Sequence, residues 1–418
     1  MLLPRRSPLS IGTSFRNMVL GKVGETMRKK RVLLLSEGFG SGHTQAAYAL
    51  AVGLRQLNPD IQTRVIELGK FLNPVLGPWI VSAYRKTVSK QPKLVGMMYR
   101  TNYNRSMNRF TQLALHRIFY TQTSQVIEQL KPDAIVCTHP VPNAVVARLK
   151  RLGLDVPLYT LITDYDAHGT WTSPEVNKYL VSTPIVKRKL MAHGIAAGRI
   201  EVTGIPVHPN FWTTHDKRAI QEELQLKPMP TVLIMGGGWG LLGDGNRLYE
   251  YMAGYRDKIQ MIFCVGNNEE MKEKLETDPH FQHPNIRILG FTREVNKLMD
   301  ASDLLITKPG GMTCTEGLSK GIPMLFYEPI PGQEEENCEY FVKNGFGEML
   351  VDETSVDKWF ELIQEPYATV QFRRSLLSKR NQQYNPEQCS RSLLQLIQQD
   401  EAPEPSFDAR GGAFQPEV

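Results

Sequence analysis

A glycine-rich segment with one histidine, SEGFGSGHTQAA, follows the apolar run RVLLL. Its glycine spacing differs from the dinucleotide pattern G-x-G-x-x-G, and it lacks the lysine of the G-x-x-x-x-G-K-[ST] loop, so neither nucleotide motif is supported. We expect His43 at or next to a helix N-terminus, where the dipole disfavours the imidazolium and helps keep the ring neutral near pH 7. A neutral imidazole facing a cleft can act as a general base. The alternative is a histidine that only caps its helix.

A second glycine motif, KPGGMTCTEGLSKGIPMLF, is a candidate anion-binding site. The pattern predicts a strand ending at Thr307, a sharp turn at Gly310 and Gly311, and a helix beginning near Thr313. Unpaired N–H groups and the helix dipole at such a start would bind a diphosphate. Thr313 and Glu316 also fit a T-x-x-E capping box, which is purely structural. The alternative role of Glu316 is to hold ribose hydroxyls.

Two acidic groups admit more than one interpretation. The segment PGQEEEN opens the helix after the next strand, where its glutamates fit an ordinary solvated helix start as well as a ligand site on the same sheet edge. Asp164 and Asp166 in TDYDAHGTW form a D-x-D pair, which could hold a divalent cation. This pair follows a strand of the first half, whereas the anion site belongs to the second half, so we predict no metal.

The motifs follow apolar runs that predict parallel strands joined by helices. The first half contains six such runs: RVLLLSEG, TRVIELG, DAIVCTHP, PLYTLITD, KYLVST and RIEVTG. The second half contains five: TVLIMGGGWG, KIQMIFCVGN, IRILGF, DLLITKPGG and PMLFYEP. We therefore predict an α/β protein with two Rossmann-like, doubly wound domains in tandem, and a ligand between them at the carboxyl ends of the strands.

The predicted organisation of the 418 residues follows from these repeats. It comprises a basic flexible leader at 1–30, a first Rossmann-like domain at 31–205, a second at 206–370 that binds the nucleotide, C-terminal helices at 371–400 and a disordered tail at 401–418. With 41% hydrophobic and 22% charged residues, the composition is that of a soluble globular protein.

Composition also excludes several classes of protein. No window holds the roughly 18 uncharged apolar residues that a membrane-spanning helix needs. The five cysteines are widely spaced and form no C-x-x-C pair, so neither a disulfide framework nor a zinc site is predicted. A reducing cytosol is the expected compartment.

Positive charge is concentrated in one segment. Residues 68–127 contain nine basic residues and no acidic one, although the net charge of the whole chain is only +6. Aromatic residues are interspersed among them. On an anionic membrane each basic residue near the surface contributes on the order of 1 kcal/mol, and aromatic side chains enter the interface. A solvated basic helix pair is the alternative, and no nucleic-acid-binding motif accompanies the charge.

Four motifs together resemble a known family. The glycine-histidine loop, GIPVHPNF, KPGGMTCTEGLSKGIPMLF and PGQEEEN, in this order and spacing, resemble the signatures of processive diacylglycerol glucosyltransferases and monogalactosyldiacylglycerol synthases over residues 31–395. More distantly, the chain is similar to the N-acetylglucosaminyltransferase of peptidoglycan-precursor synthesis, which has the two-domain GT-B fold. The resemblance implies inverting, metal-independent transfer of a hexose from a UDP-sugar to a lipid hydroxyl, with no cofactor besides the donor.

The resemblance also implies a role for each matching residue. His43 becomes the base that removes the acceptor proton, and Asp164 lies near the acceptor. The donor would be bound by residues of the second half: Phe291 and Thr292 at the uracil, Gly310, Gly311, Met312 and Thr313 at the diphosphate, Glu316 at the ribose, Gln333 and Glu334 at the sugar hydroxyls, and Asn337, Gly237 and His208 beside them. The membrane and acceptor side would include Trp79, Arg85, Lys86, Arg100 and Trp171.

Two departures from the family pattern matter. His208 stands where the family usually has arginine, so the phosphate contact there would be weaker and dependent on pH. Trp239 replaces a commonly polar residue next to the donor, which leaves the transferred sugar open. We expect a cytoplasmic enzyme bound peripherally to the inner face of the cell membrane. The alternatives are a UDP-sugar epimerase of the same fold, a transferase acting on another lipid, and a non-catalytic sensor.

Overall fold

The computed structural model describes residues 29–74, 82, 121–237, 240 and 246–399. Several predictions of the sequence fall elsewhere in the chain. The leader up to residue 28 and the tail from residue 401 lie outside the described residues. So do five residues named above: Trp79, Arg85, Lys86, Arg100 and Trp239.

A six-stranded parallel sheet forms the first half of the described chain. Its strands are β1 (Lys30–Ser36), β2 (Ile61–Glu67), β3 (Ala134–Cys137), β4 (Leu158–Leu161), β5 (Lys178–Val181) and β6 (Ile200–Val202). Their spatial order is β2-β1-β3-β4-β5-β6. The winding reverses between β1 and β3, and the loops after these two strands therefore flank the crevice where such sheets bind ligands.

A second six-stranded parallel sheet forms the other half. It contains β7 (Thr231–Met235), β8 (Gln260–Cys264), β9 (Ile286–Leu289), β10 (Leu304–Thr307), β11 (Met324–Phe326) and β12 (Gly347–Met349). Their order is β12-β11-β10-β7-β8-β9, so the winding reverses between β7 and β10. All eleven predicted strands are present. The sequence analysis missed β12, because Gly-Glu-Met is a three-residue edge strand without an apolar run.

Helices cover the faces of both sheets. Around the first sheet lie α1 (Ser41–Leu57), α2 (Leu68–Leu72), α3 (Thr121–Leu130), α4 (Pro140–Arg151) and α5 (Pro184–Ala192). The second half contains α6 (Lys217–Glu223), α7 (Asn246–Ala253), α8 (Glu269–Thr277), α9 (Val295–Ala301), α10 (Gly311–Lys320), α11 (Gln333–Lys343), α12 (Glu353–Gln364), α13 (Pro366–Gln383) and α14 (Gln388–Gln399). Within the described ranges, no helix combines the length and the apolar character required to cross a bilayer.

The last described helix returns to the first half of the molecule. Leu393 and Ile397 of α14 are buried in the same apolar cluster as Leu50 of α1. The two helices cross at Gly53, where an added Cβ would overlap the Ser390 hydroxyl and lie 3.2 Å from the Trp212 ring. Glycine is therefore required for this close approach, and the crossing fixes the C-terminal helix to the first unit.

Candidate active site

His43 is the third residue of α1, on the glycine loop after β1. Its Nδ1 lies 2.7 Å from the Thr163 hydroxyl oxygen. Burial lowers the pKa of His43, against the opposing effects of the nearby Asp164 carboxylate and the Thr138 carbonyl. The expected neutral ring agrees with this direction, but the main cause is burial rather than the helix dipole proposed from the sequence.

Two further imidazoles lie beside His43. The rings of His43 and His139 are 4.8 Å apart, edge to face. His139 caps α4, because its Nδ1 accepts the Val141 N–H at 3.2 Å. Burial lowers the pKa of His139 well below its usual value and that of His168 to about 4. The sequence analysis missed His139, although its place directly after β3, opposite the His43 loop at the reversal point, is a usable signal.

Trp171 is part of the interior of the first unit. It is 1% exposed, and its ring centroid lies 6.1 Å from that of His43. The expectation of a membrane contact is therefore wrong for this tryptophan, because its ring does not reach the surface. Because its ring lies beside that of His43, its assignment to the acceptor side stays a prediction.

The two glycine motifs face each other across the two units. A Cβ added to Gly42 would lie 3.5 Å from Cγ of Met312, at the start of α10. A Cβ added to Gly311 would overlap the carbonyl oxygen of Thr163 and lie 3.1 Å from Oδ1 of Asp164. The base candidate and the helix start expected to bind diphosphate are thus brought together, although nearly 270 residues separate them in sequence.

The loop after β4 is tied to α11 by a buried polar network. The Asn337 amide donates to Oδ1 of Asp164 at 3.3 Å and accepts from the Tyr165 N–H at 2.8 Å. The Tyr165 hydroxyl lies 2.8 Å from that of Thr315 in α10. Burial raises the pKa of Asp164, and hydrogen bonds from Gln333 and Asn337 oppose the shift. Asn337 therefore supports the interface between the units, a contact that no local motif indicates.

The helix α10, which was predicted to bind the diphosphate, begins earlier than the sequence predicted. Gly310 is the N-cap and makes no side-chain cap, and the helix starts at Gly311 rather than near Thr313. Thr313 consequently lies inside the first turn, and the proposed capping box with Glu316 is wrong. Glu316 is half-buried, and burial raises its pKa to about 8.

The acids at the start of α11 have different partners. Glu335 accepts the N–H of Gly332, the helix N-cap, at 2.9 Å. Glu334 accepts the Ile330 N–H at 2.8 Å, and burial raises its pKa to about 6. The structural interpretation therefore holds for Glu335. Glu334 and Gln333 lie close to Asp164, and their role as sugar ligands stays a prediction.

The other predicted donor residues lie on separate loops. Gly237 follows β7 and has a φ of +66°, a conformation that favours glycine. Phe291 and Thr292 follow β9, the strand at the edge of the second sheet, and Phe291 is 58% exposed. They are not among the residues that contact Asn337 in the network described above. His208 lies in the segment that connects β6 to β7, where its Nδ1 accepts the Asn210 N–H at 3.3 Å and burial lowers its pKa.

The two carboxylates of the D-x-D pair are held apart. Asp164 accepts from Asn337, whereas Asp166 forms an ion pair with Lys189, which also lies 3.3 Å from Glu336. Asp166 thus contributes to the contact between the two units. This agrees with its interpretation as incidental to the chemistry.

Two acidic side chains, one buried and one half-buried, lie close together beside the His43 loop. Glu37 is 3% exposed and accepts the Gly69 N–H at 2.9 Å. Glu67, which accepts from the Thr44 hydroxyl at 2.9 Å, is close enough to repel it. Burial, with a smaller effect from Glu67, raises the pKa of Glu37 to about 7. Glu37 therefore links the His43 loop to the first turn of α2.

Replacement of Glu37 with glutamine should make stability less dependent on pH. The raised pKa favours the protonated folded state, so this contribution is complete below pH 4.5 and is lost as pH rises to about 7. Glutamine retains the acceptor for Gly69 and cannot ionise. We expect Glu37→Gln to match the wild type at pH 4.5 and to exceed its unfolding free energy by roughly 3 kcal/mol at pH 8.

Denaturant unfolding at both pH values measures this difference. The exposed Glu128→Gln is the matched control, and its difference from the wild type should not change between the two pH values. An equal effect of Glu37→Gln at both pH values would contradict the assignment.

Two parallel six-stranded sheets, whose carboxyl-end loops meet at Gly42 and Met312, form the GT-B fold. MurG of Acinetobacter baumannii superposes with a TM-score of 0.53 and 17% identity, covering 88% of this chain and 99% of that one. HepE of Anabaena, crystallised with UDP and glucose, has a TM-score of 0.55 and 12% identity, with 88% and 99% covered. These likenesses establish the fold predicted from the sequence.

Sequence comparison identifies the family. The monogalactosyldiacylglycerol (MGDG) synthase family matches residues 43–207, and the glycosyltransferase family 28 C-terminal domain matches residues 232–392. The processive diacylglycerol β-glucosyltransferase of Bacillus licheniformis is 31% identical over 322 residues, which cover 76% of this chain and 82% of that protein. The chain belongs to the diacylglycerol glycosyltransferase family, as its motifs had indicated.

Proposed function

We propose that this protein transfers a hexose from a UDP-sugar to the hydroxyl of diacylglycerol, with inversion at the anomeric carbon. The observation that carries the proposal is the approach of the His43 loop to the start of α10, where Gly42 and Met312 meet. A base and an anion-binding helix start then lie on opposite sides of one reacting centre. The names of the relatives, diacylglycerol β-glucosyltransferases, support the same substrates.

The reaction would proceed in one displacement. His43 accepts the proton of the lipid hydroxyl while that oxygen forms a bond to the anomeric carbon. The bond from this carbon to the diphosphate oxygen breaks, and UDP leaves with the electron pair. The N–H groups and dipole at Gly311 stabilise the negative charge that develops on the leaving group. We expect no metal or other cofactor, because this helix start supplies the positive potential itself.

The remaining predicted residues would bind the donor. Glu316, whose pKa burial raises to about 8, would be protonated at neutral pH and could both donate to and accept from ribose hydroxyls. Gln333 and Glu334 would hold the sugar, next to Asp164. Phe291 and Thr292 would border the uracil, and Gly237 and His208 would complete the site.

Attachment to the membrane rests on the charge of the chain. The nine basic residues and absence of acids between residues 68 and 127 favour an anionic surface, and diacylglycerol is delivered from a bilayer. We therefore propose that the enzyme binds peripherally to the inner face of the cell membrane. Trp79, Arg85, Lys86 and Arg100 would make that contact.

A panel of UDP-sugars tests the proposal. Each donor is incubated with diacylglycerol in anionic vesicles, and the lipid phase is analysed by chromatography. We expect a glycolipid from at least one UDP-hexose and no change in the sugar nucleotide without lipid. Isomerised sugar nucleotide in the absence of lipid would favour an epimerase and contradict the proposal.

A further inference from the structure

The hydroxyl of Thr163 is the side-chain group that holds the His43 ring. Thr163 follows β4, is 3% exposed, and places its hydroxyl oxygen 2.7 Å from Nδ1 of His43. We propose that Thr163 is a positioning residue that keeps the proton of the neutral ring on Nδ1, so that Nε2 is free to accept the proton of the acceptor. The inference rests on the proposed function of His43. It assigns to Thr163 the orientation of the His43 ring that a general base needs.

The hydrogen bond between His43 and Thr163 determines which nitrogen of the neutral ring carries its one proton. A neutral imidazole has one N–H, and the unprotonated nitrogen is the base. If Nδ1 donates to the Thr163 oxygen, Nε2 carries the lone pair. If the threonine donates instead, Nε2 carries the hydrogen and cannot act. The Thr138 carbonyl, which can only accept, also interacts with the ring and raises its pKa.

In the described part of the chain, the side-chain partner of Nδ1 is a hydroxyl group rather than a carboxylate. Catalytic histidines are often oriented by an acid at the second nitrogen. Asp164 is the nearest candidate, but its Oδ1 accepts from the Asn337 amide at 3.3 Å. Its charge still raises the pKa of His43. Orientation and charge stabilisation are therefore divided between two neighbouring residues, the hydroxyl of Thr163 and the carboxylate of Asp164.

Thr163 also connects the base to the donor side. Its carbonyl oxygen packs against Gly311 so closely that a Cβ there would overlap it. The residue that holds the ring is consequently in contact with the first residue of α10. A single short loop thus sets the position of His43 relative to the helix start proposed to bind the diphosphate.

Thr163→Val removes the hydroxyl and keeps the shape of the side chain, and Thr163→Ser keeps the hydroxyl. A general base contributes about 10²- to 10⁴-fold, so loss of its orientation should lower kcat by roughly 10- to 100-fold in the valine variant. The KM for the UDP-sugar should be unchanged. The serine variant should stay within about threefold of the wild type. The matched control is Thr170→Val, whose hydroxyl lies 2.5 Å from Nδ1 of the neighbouring His168 and should be dispensable for kcat.

Nitrogen-15 spectra of histidine-labelled protein show which ring nitrogen of His43 is protonated. A purely structural role of Thr163 would leave this protonation pattern unchanged. His43, assigned by its loss in His43→Gln, should show a protonated Nδ1 and an unprotonated Nε2, and this signature should be lost in Thr163→Val. A protonated Nε2 in the wild type, or unchanged kcat in Thr163→Val, would overturn the inference. Full activity of His43→Gln would instead refute the proposed base, so the two failures are distinguishable.

Discussion

Replacement of His43 with alanine is expected to lower kcat by about 10²- to 10⁴-fold, the range that a positioned general base contributes. UDP should bind with nearly unchanged affinity, because the proposed diphosphate site lies at the start of α10, on the other unit. His43→Gln should lose as much activity while keeping a polar group beside Thr163. Initial rates of glycolipid formation and calorimetric titration with UDP measure the two quantities.

A surface histidine provides the control for this experiment. The side chain of His280 is 60% exposed and pairs with Asp278, and His280→Ala should retain wild-type activity. Turnover of His43→Ala and His43→Gln at the wild-type rate would show that another group, or water, accepts the acceptor proton. Loss of UDP binding in both variants would show that His43 contributes to the donor site instead.

Gly311→Ala is expected to lower kcat by roughly 100-fold through a displacement of the two halves of the site. The new methyl would overlap the Thr163 carbonyl oxygen, a backbone atom that cannot rotate away. The units must separate locally, and a misplacement of about 1 Å between reacting groups can cost this factor. Steady-state kinetics with UDP-sugar and diacylglycerol vesicles measure the loss.

Gly198→Ala is the matched control, because an added Cβ there meets no atom within 4 Å. It should change neither kcat nor the thermal unfolding midpoint. Wild-type kcat in Gly311→Ala would mean that the contact between Thr163 and Gly311 is not part of the catalytic arrangement. A fall in stability without a fall in kcat would lead to the same conclusion.

The periodic features of the sequence account for most of the fold. Buried parallel strands have continuous apolar runs, so the starts of β1, β7 and β10 could be located to within one residue. The edge strand β12 could not, since its short polar sequence resembles a turn. The start of α10 was predicted two residues too late. Threonine is a common N-cap and suggested a start near Thr313, whereas the N-cap in the structure is Gly310.

The site was only partly predictable for a related reason. His43 and Gly311 lie on glycine loops that mark the carboxyl ends of strands, and their meeting follows from the tandem arrangement. The contact of Tyr165 with Thr315, or its stacking on Tyr340 at 4.6 Å, depends on how the two units are oriented. No local pattern encodes that orientation. Hydroxyl groups such as that of Thr163 carry no sequence signal at all.

The anomeric configuration of the product tests the central claim most directly. The measurement is proton NMR of the glycolipid formed from UDP-α-glucose, or from whichever UDP-α-hexose is accepted, and diacylglycerol in anionic vesicles. Direct attack by the lipid hydroxyl, with His43 as the base, predicts the β anomer and release of one UDP for each sugar transferred. An α-linked product, or consumption of the donor without glycolipid, would contradict the account.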